Sequence, residues 1–337
     1  MTQPDPSVVI DLINAFRRSK IMFTAVSLGI FDRLSRAPAD AATLAHDLSC
    51  SDDAMERLLD ACAGLGFLRK ETGVYANQPE AEAYLSHSSP TTLGGYILYS
   101  DRALYPLWGK LEDAVREGTH RWEQTFDAKG PIFDHFFKSD QAKRDFLMGM
   151  NGFGLLSSPR VVAAFDLTRF HRLVDLGGAT GHLPIEACNR HPNLRAAVFD
   201  LPSVIEVTRE YVERAGLAGR IDLIAGDFFT DKLPEADIFS LGRILHDWSE
   251  GKIRKLLGKI YDRLPSGGAL LIAERLLSED KTGPLPALTQ SLNMLVCTEG
   301  KERTLSEYEV LLHEAGFIDI HAQKTGAPLD AMLAFKR

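Results

Sequence analysis

Leu173-Val174-Asp175-Leu176-Gly177-Gly178-Ala179-Thr180-Gly181 decides the fold of this chain. The apolar, β-branched opening predicts a short buried strand that ends on an acid. Three glycines in five positions then break regular structure, and Leu183-Pro184-Ile185-Glu186-Ala187-Cys188 predicts a helix start with Pro in its tolerated first turn. Strand, glycine turn and helix is how α/β folds aim backbone N–H groups at a polar or anionic ligand. The glycines Gly177, Gly178 and Gly181 are spaced G-G-x-x-G, not as the G-x-G-x-x-G of dinucleotide-binding turns. An acid two residues before the first glycine suits a ligand that offers a donor, such as an amino group, better than a pyrophosphate. Alone, the pattern is also that of a ligand-free strand–helix turn. What lies downstream separates the two.

From Arg172 onward, strand and helix patterns alternate, the mark of a parallel sheet. Strands are predicted at 173–176, 196–200, 221–225, 236–241 and 269–274. Two late candidates, 317–323 and 331–336, lie too close together for a helical crossover and predict an antiparallel hairpin. Ligands of such sheets bind outside the carboxyl ends of the strands. Asp200 ends the second strand, 19 residues beyond Gly181, where an acid accepts from a ribose diol. Gly226-Asp227-Phe228-Phe229 follows the third, offering a carboxylate beside aromatic faces that suits an adenine amino group. Arg243-Ile244-Leu245-His246-Asp247-Trp248 follows the fourth. A lone His is more often structural than catalytic, but this one has an acid and a Trp beside it at a strand end. Glu274 ends the fifth strand, and Glu302 lies in Gly300-Lys301-Glu302-Arg303-Thr304. Either carboxylate is placed to orient His246 through Nδ1 and stabilise its imidazolium form.

Upstream, helical apolar spacing over residues 7–36 predicts two helices. A short helix at 42–48, a second one capped by Ser51 and stopped at Gly66, and a hairpin around Glu71-Thr72-Gly73 make a winged-helix pattern. From Asp40 to Leu85 there are nine acidic and three basic side chains, a net of −6, which repels phosphate and argues against DNA binding. Dimerisation or gating of a substrate suits that module better. Residues 86–165 read as helical, broken near Pro106 and at Gly130-Pro131. They are crowded with Tyr105, Trp108, Trp122, Phe126, Phe133, Phe136, Phe137, Phe146, Met148, Met150 and Phe153, as a core or as the wall of an apolar pocket. A formal charge of −8 argues against nucleic acid and anionic membrane as main partners. Cys50, Cys62, Cys188 and Cys297 show no zinc or redox spacing, so free thiols and a cytoplasmic, non-membrane protein are expected.

Taken together, 175–181, 198–202, 226–229, 245–248 and 291–304 (Ser-Leu-Asn-Met-Leu-Val-Cys-Thr-Glu-Gly-Lys-Glu-Arg-Thr) resemble the S-adenosylmethionine-dependent O-methyltransferases of the caffeate and acetylserotonin type, the acetylserotonin branch most. The resemblance covers nearly the whole chain. It implies an α/β, doubly wound Rossmann-like domain at 101–337, with a mostly parallel seven-stranded sheet, preceded by a winged-helix homodimerisation domain at 1–100. Within the former, 101–165 would cover the substrate and 166–337 form the core. The resemblance makes His246 the general base, flanked by Glu274 and Glu302. It puts Gly177, Asp200, Leu201, Gly226, Asp227, Phe228 and Arg243 at S-adenosylmethionine, and Asp247, Asn293, Met294, Cys297 and Met150 at a small hydroxylated aromatic substrate of secondary metabolism. No metal is implied. Cys297 stands where the acetylserotonin enzymes have Gln, while Phe137 and Gly154 replace a Tyr and a Trp near the cofactor.

The implied reaction is in-line transfer of a methyl group to a hydroxyl. A free phenol near pKa ~10 and an ordinary His near ~6.5 leave complete proton transfer roughly 5 kcal/mol uphill, so the surroundings must narrow that gap or transfer must accompany attack. A nicotinamide-dependent oxidoreductase shares the glycine loop and Asp200 but leaves Gly226–Phe229 and the His246 group unexplained. A non-methylating sensor of the same fold would be expected to lack the His and both Glu. A transcription factor conflicts with the acidic wing, and N- or C-methylation stays open.

Overall fold

The computed structural model describes residues 4–130, 133, 137 and 139–337. They fall into two compact units, Met1–Tyr105 and Pro106–Arg337, where the sequence reading set the boundary at 100/101. In the first unit α1 (Ser7–Ser27) and α2 (Ile30–Arg36) are the two expected helices. β1 (Ala39–Asp40), α3 (Ala41–Asp47), α4 (Asp52–Gly64), β2 (Leu68–Glu71), β3 (Val74–Asn77), α5 (Pro79–Tyr84) and α6 (Gly94–Tyr99) follow. The hairpin of β2 and β3 forms as expected, and β1 adds an unforeseen third strand in the order β1-β3-β2. Asp40 caps α3 by accepting the Thr43 N–H at 2.8 Å. Ser51 takes the N-cap position of α4 without a side-chain capping bond, and the acids Asp52 and Asp53 in the first turn meet the helix dipole instead. Ile30, Phe31, Leu44, Leu59, Cys62 and Tyr75 fill this unit's core.

The next segments correct one expectation. Ser100–Leu104 is a π turn and α7 (Tyr105–Trp108) continues helical, so Pro106 lies inside a helix and not at a break. The widened turn is one way a helix accommodates the missing N–H of Pro. α8 (Leu111–Glu117), α9 (Trp122–Phe126) and α10 (Asp140–Ala163) follow. Pro131 and Phe136 lie outside the described residues. Among the described residues no helix is long and apolar enough to cross a membrane.

The second unit is built on one sheet. β4 (Arg172–Leu176), α11 (His182–Arg190), β5 (Arg195–Asp200), α12 (Pro202–Arg214), β6 (Ile221–Ala225), β7 (Ile238–Gly242), α13 (Glu250–Arg263), β8 (Ala269–Glu274), β9 (Leu276–Leu277), α14 (Leu285–Cys297), β10 (Arg303–Thr304), α15 (Leu305–Glu314), β11 (Ile318–Gln323) and β12 (Asp330–Phe335) run in that order. The seven-stranded sheet is ordered β11-β12-β8-β7-β4-β5-β6, parallel except for β12 and β11, the expected closing hairpin. Side chains alternate between its faces, and both faces are buried. Val174, Leu176, Phe239, Leu241 and Ile272 pack under Ile253, Leu256 and Ile260 of α13. Leu173, Val198, Ile238 and Leu271 pack against Leu183 and Ala187 of α11 and Val161 of α10. The chain proceeds from β4 outward to β6, then returns to lay β7 on the other side of β4. That reversal opens a crevice at the carboxyl ends of β4 and β7.

Phe239, wholly buried at the sheet centre, tests this core. Phe239→Ala is expected to cost about 3–5 kcal/mol, read as a lowered thermal transition of the second unit with the fold retained.

Candidate active site

The first wall of the crevice is the glycine loop. Gly177 has φ +69° and donates its N–H to the Phe199 carbonyl at 2.9 Å, and a Cβ there would strike Ile244. Asp200 shapes the loop, accepting the Ala179 N–H at 2.9 Å and the Leu201 N–H at 2.7 Å. Burial pushes its carboxyl up to about 6 against those two amides. Asp175 lies beneath the loop, 2% exposed, one oxygen taken by the Ser240 hydroxyl at 2.6 Å. Burial drives it up to about 7, and Asp200 adds to the shift. It props the loop from below, its other oxygen against Gly178.

The second wall follows β6. Gly226 donates its N–H to the Asp200 carbonyl at 2.9 Å, and Asp227 turns the chain by accepting the Phe229 N–H at 2.7 Å. Lys259 holds this loop through the carbonyls of Phe228, Phe229 and Asp231. The rings of Phe228 and Phe229 meet edge to face at 4.8 Å, and Phe229 meets Trp248 at 4.9 Å. Arg243 follows β7 in a left-handed conformation, φ +58°, and lays its guanidinium 5.2 Å from the Phe153 ring. Strained backbone of this kind concentrates at functional sites.

Helix α10 covers the loop. Asn151 accepts the Thr180 hydroxyl at 3.0 Å, and Ser158 pairs with His182 Nδ1 at 2.8 Å. Burial and the nearby Arg243 charge push His182 down to about 4, so the ring is neutral. That ring occupies the space where a Cβ on Gly154 would go. The small residue at 154 is thus matched by the imidazole opposite it. His182 and Ser240 carry no motif of their own, and the sequence reading passed over both. Met150 sits half-buried on the same helix.

His246 lies on a 3₁₀ turn, Leu245–Asp247, just beyond β7 and 3% exposed. Its Nδ1 is 2.7 Å from Glu302 Oε1 and 3.5 Å from Glu274 Oε2, so the two alternatives read from sequence are both present, with Glu302 the hydrogen-bonded one. Glu274 spends its other oxygen on the N–H groups of Ile244 and Leu245, at 3.0 and 2.8 Å. Asp247 Oδ1 stands 3.6 Å from Nε2. A two-stranded parallel ribbon, β9 with β10, brings the carboxylates together: Arg303 pairs with Leu276, setting Glu302 beside Glu274. Strands of two residues leave no periodicity to read. Burial alone would push His246 down, but Glu274, Glu302 and Asp247 outweigh it and hold the imidazole up at about 9. Burial likewise holds Glu274 above the usual carboxylate range, and Asp247 at about 6. The ligand atoms of His246, Glu274 and Glu302 lie within 4.8 Å of one another, near enough to surround a cation. The short contact engages His246 Nδ1 and Glu302 Oε1, and the two amides engage Glu274 Oε1.

Helix α14 supplies the opposite side. Asn293 accepts the Trp108 indole N–H at 2.8 Å, which leaves its amide donors for a ligand. Met294 is buried, and the Cys297 thiol donates to the Asn293 carbonyl at 2.7 Å. Burial keeps that thiol well above its ordinary range and so un-ionised. It is a small apolar wall.

Comparisons with known proteins point to one family. The model of an O-methyltransferase domain matches residues 108–318, and that of an O-methyltransferase dimerisation domain residues 10–87. Acetylserotonin O-methyltransferase of Gallus gallus is 41% identical over 342 residues, 98% of this chain and 97% of that protein. The Homo sapiens enzyme of the same name is 40% identical over 333 residues, 97% and 96% of the two chains. The crystal structure of human N-acetylserotonin methyltransferase in complex with SAM superposes with a TM-score of 0.95 at 38% identity, covering 100% of this chain and 99% of that one. PigF with SAH gives 0.91 at 30% identity, over 99% and 100%. With two domain models and full-length relatives in agreement, this chain belongs to the O-methyltransferase family.

Proposed function

We propose that this chain transfers the methyl group of S-adenosylmethionine to a hydroxyl of a small aromatic acceptor, with His246 as general base. The observation that carries this reading is the buried 2.7 Å contact of His246 Nδ1 with Glu302, at the carboxyl end of a strand that borders the glycine-loop crevice. The crevice suits an adenosyl ligand: the glycine loop follows β4, Asp200 ends β5, and Asp227 and Phe228 follow the end of β6. Gly177, Asp200, Leu201, Gly226, Asp227, Phe228 and Arg243 would hold the cofactor. When bound, it supplies a methyl group already activated on a positively charged sulfur, so the chemistry calls for no metal.

The chain's own part is a proton and an alignment. Glu302 fixes Nδ1 as the donor nitrogen of the ring and leaves Nε2 to take the acceptor's hydroxyl proton. Asp247 and Asn293 would face the acceptor, with Met294, Cys297 and Met150 as apolar lining. An imidazole held at about 9 lies roughly one pKa unit below a phenol near ~10, so complete transfer costs about 1.4 kcal/mol. That is far less than the ~5 kcal/mol an ordinary His would face.

The apolar N-terminal half of α1 supports the homodimer reading of the matched dimerisation domain. Val8, Val9, Leu12, Ile13 and Phe16 are all more than half exposed. The unpaired Cys50, Cys62, Cys188 and Cys297 support a reducing, cytoplasmic setting.

His246→Gln is expected to lower kcat by about 10²–10⁴-fold while cofactor Kd, measured by calorimetry, changes less than about threefold. Unchanged turnover would remove His246 from the mechanism. Because the base must be neutral to act, kcat/KM for the cofactor should rise with pH towards about 9. The limb for kcat should lie lower, since a bound sulfonium disfavours imidazolium. A kcat limb at higher pH than that for kcat/KM contradicts the assignment. Ile13→Glu combined with Phe16→Glu is expected to halve the mass seen by light scattering. A persisting dimer places the interface away from α1.

A further inference from the structure

The segment that delivers Glu302 also straps down the turn bearing His246. Glu299 donates its N–H to the Asp247 carbonyl at 3.3 Å and accepts the Ser249 N–H at 3.1 Å. Gly300 lies so close to the His246 carbonyl that any Cβ there would collide with it. Arg303 closes the strap. Its side chain is 2% exposed; Nη1 donates to the carbonyls of Leu245 and Lys301 at 3.3 and 3.0 Å, and Nη2 reaches the Trp248 carbonyl at 3.5 Å. Among the described residues no carboxylate forms an ion pair with it, and three main-chain carbonyls take its N–H groups.

The turn is therefore held at both ends by buried charges of opposite sign. Glu274 accepts its free N–H groups at Ile244 and Leu245. Arg303 donates to carbonyls on either side of His246, at Leu245 and Trp248. Short helical turns leave such groups without internal partners, and their dipoles favour an anion at the amide end and a cation at the carbonyl end. We propose that Arg303 is a positioning residue for methyl transfer: it fixes the carbonyl end of the His246 turn and offsets the negative charge of Glu274 and Glu302 beside the imidazole. This rests on His246 being the base. The charged and titratable groups facing that ring are Glu274 from β8, Glu302 from the strap and Asp247 from the turn itself. Arg243 and Cys297 act on Asp247, and Tyr308 of α15 faces the two glutamates.

Removing the guanidinium leaves the imidazolium form more favoured, so the His246 pKa rises and less neutral base is present at a given pH. Arg303→Met is expected to lower kcat about 10–100-fold with cofactor Kd changed less than about threefold, and to move the acidic limb of kcat up by about half to one pH unit. In cofactor-free protein carrying ¹³C-labelled histidine, the His246 signal, assigned by its loss in His246→Gln, should titrate higher in Arg303→Met by the same amount. Arg303→Lys, which keeps the charge but not the fork, should restore the pH limb and only part of kcat. A wild-type His246 titration and kcat in Arg303→Met overturn the inference, as does a loss of cofactor binding in step with kcat. Should Arg303→Met fail to fold, Arg303→Lys decides alone, and wild-type kcat there overturns it. Full turnover in His246→Gln would instead sink the functional reading beneath.

Discussion

A hydrogen bond 2.7 Å long, from the Nδ1 of one buried imidazole to Glu302, is the constraint around which the second unit is arranged. It needs a carboxylate and a histidine that are far apart in sequence to meet where water does not reach. A buried charge is tolerated only when paired and hydrogen-bonded. The fold meets that condition in layers: β8 ends on Glu274, the β9–β10 ribbon sets Glu302 beside it, and the strap from Thr298 to Arg303 closes over the turn. Each layer leaves the next one few alternatives.

The crevice on the other side of His246 follows from topology alone. Parallel strands end on the same edge of the sheet, and the return from β6 to β7 splits the connecting loops apart at β4. Side chains at these ends come from distant parts of the sequence, yet rigid strands fix their separations. The two Asp residues under the glycine loop show what this asks of the scaffold. Asp175 and Asp200 both sit above their ordinary range because burial disfavours charge; Ser240 of the neighbouring strand holds the first, and the Ala179 and Leu201 amides hold the second.

Much of this was legible in the sequence because periodicity and punctuation record it. The five parallel strands, the closing hairpin and the glycine loop each have a pattern longer than the noise. The ribbon of two-residue strands has none, so the meeting of Glu274 and Glu302 was readable only as a choice between them. Pro106 misled for a related reason: a proline marks a break unless a wider turn absorbs it, and nothing local announces a π turn. Arg303 and His182 were missed because their partners are a carbonyl row and a glycine, which no motif encodes. The Ser240 contact of Asp175 was not legible either, since an acid before a glycine turn looks the same whether its side chain faces the loop or the sheet.

With His246 as the proposed base, the carboxylates around it bring an opposition that the pairing by itself does not resolve. Raising the imidazole from about 6.5 to about 9 eases proton transfer from a phenol by about 2.5 pKa units. The same rise leaves only about 1% of the base neutral at pH 7, against roughly three quarters for an ordinary histidine, a loss of nearly two units. In a transition state where the proton is only partly transferred, the gain shrinks further while the loss does not. Glu274 and Glu302 taken alone would therefore leave the base little better off. What breaks the near-cancellation is a positive charge that enters with the reaction, because a cation near the ring lowers imidazole and phenol together. It restores neutral base without reopening the gap between the two. On this account the buried glutamates set a resting state in which the base is occupied, and the charge on the activated methyl donor releases it.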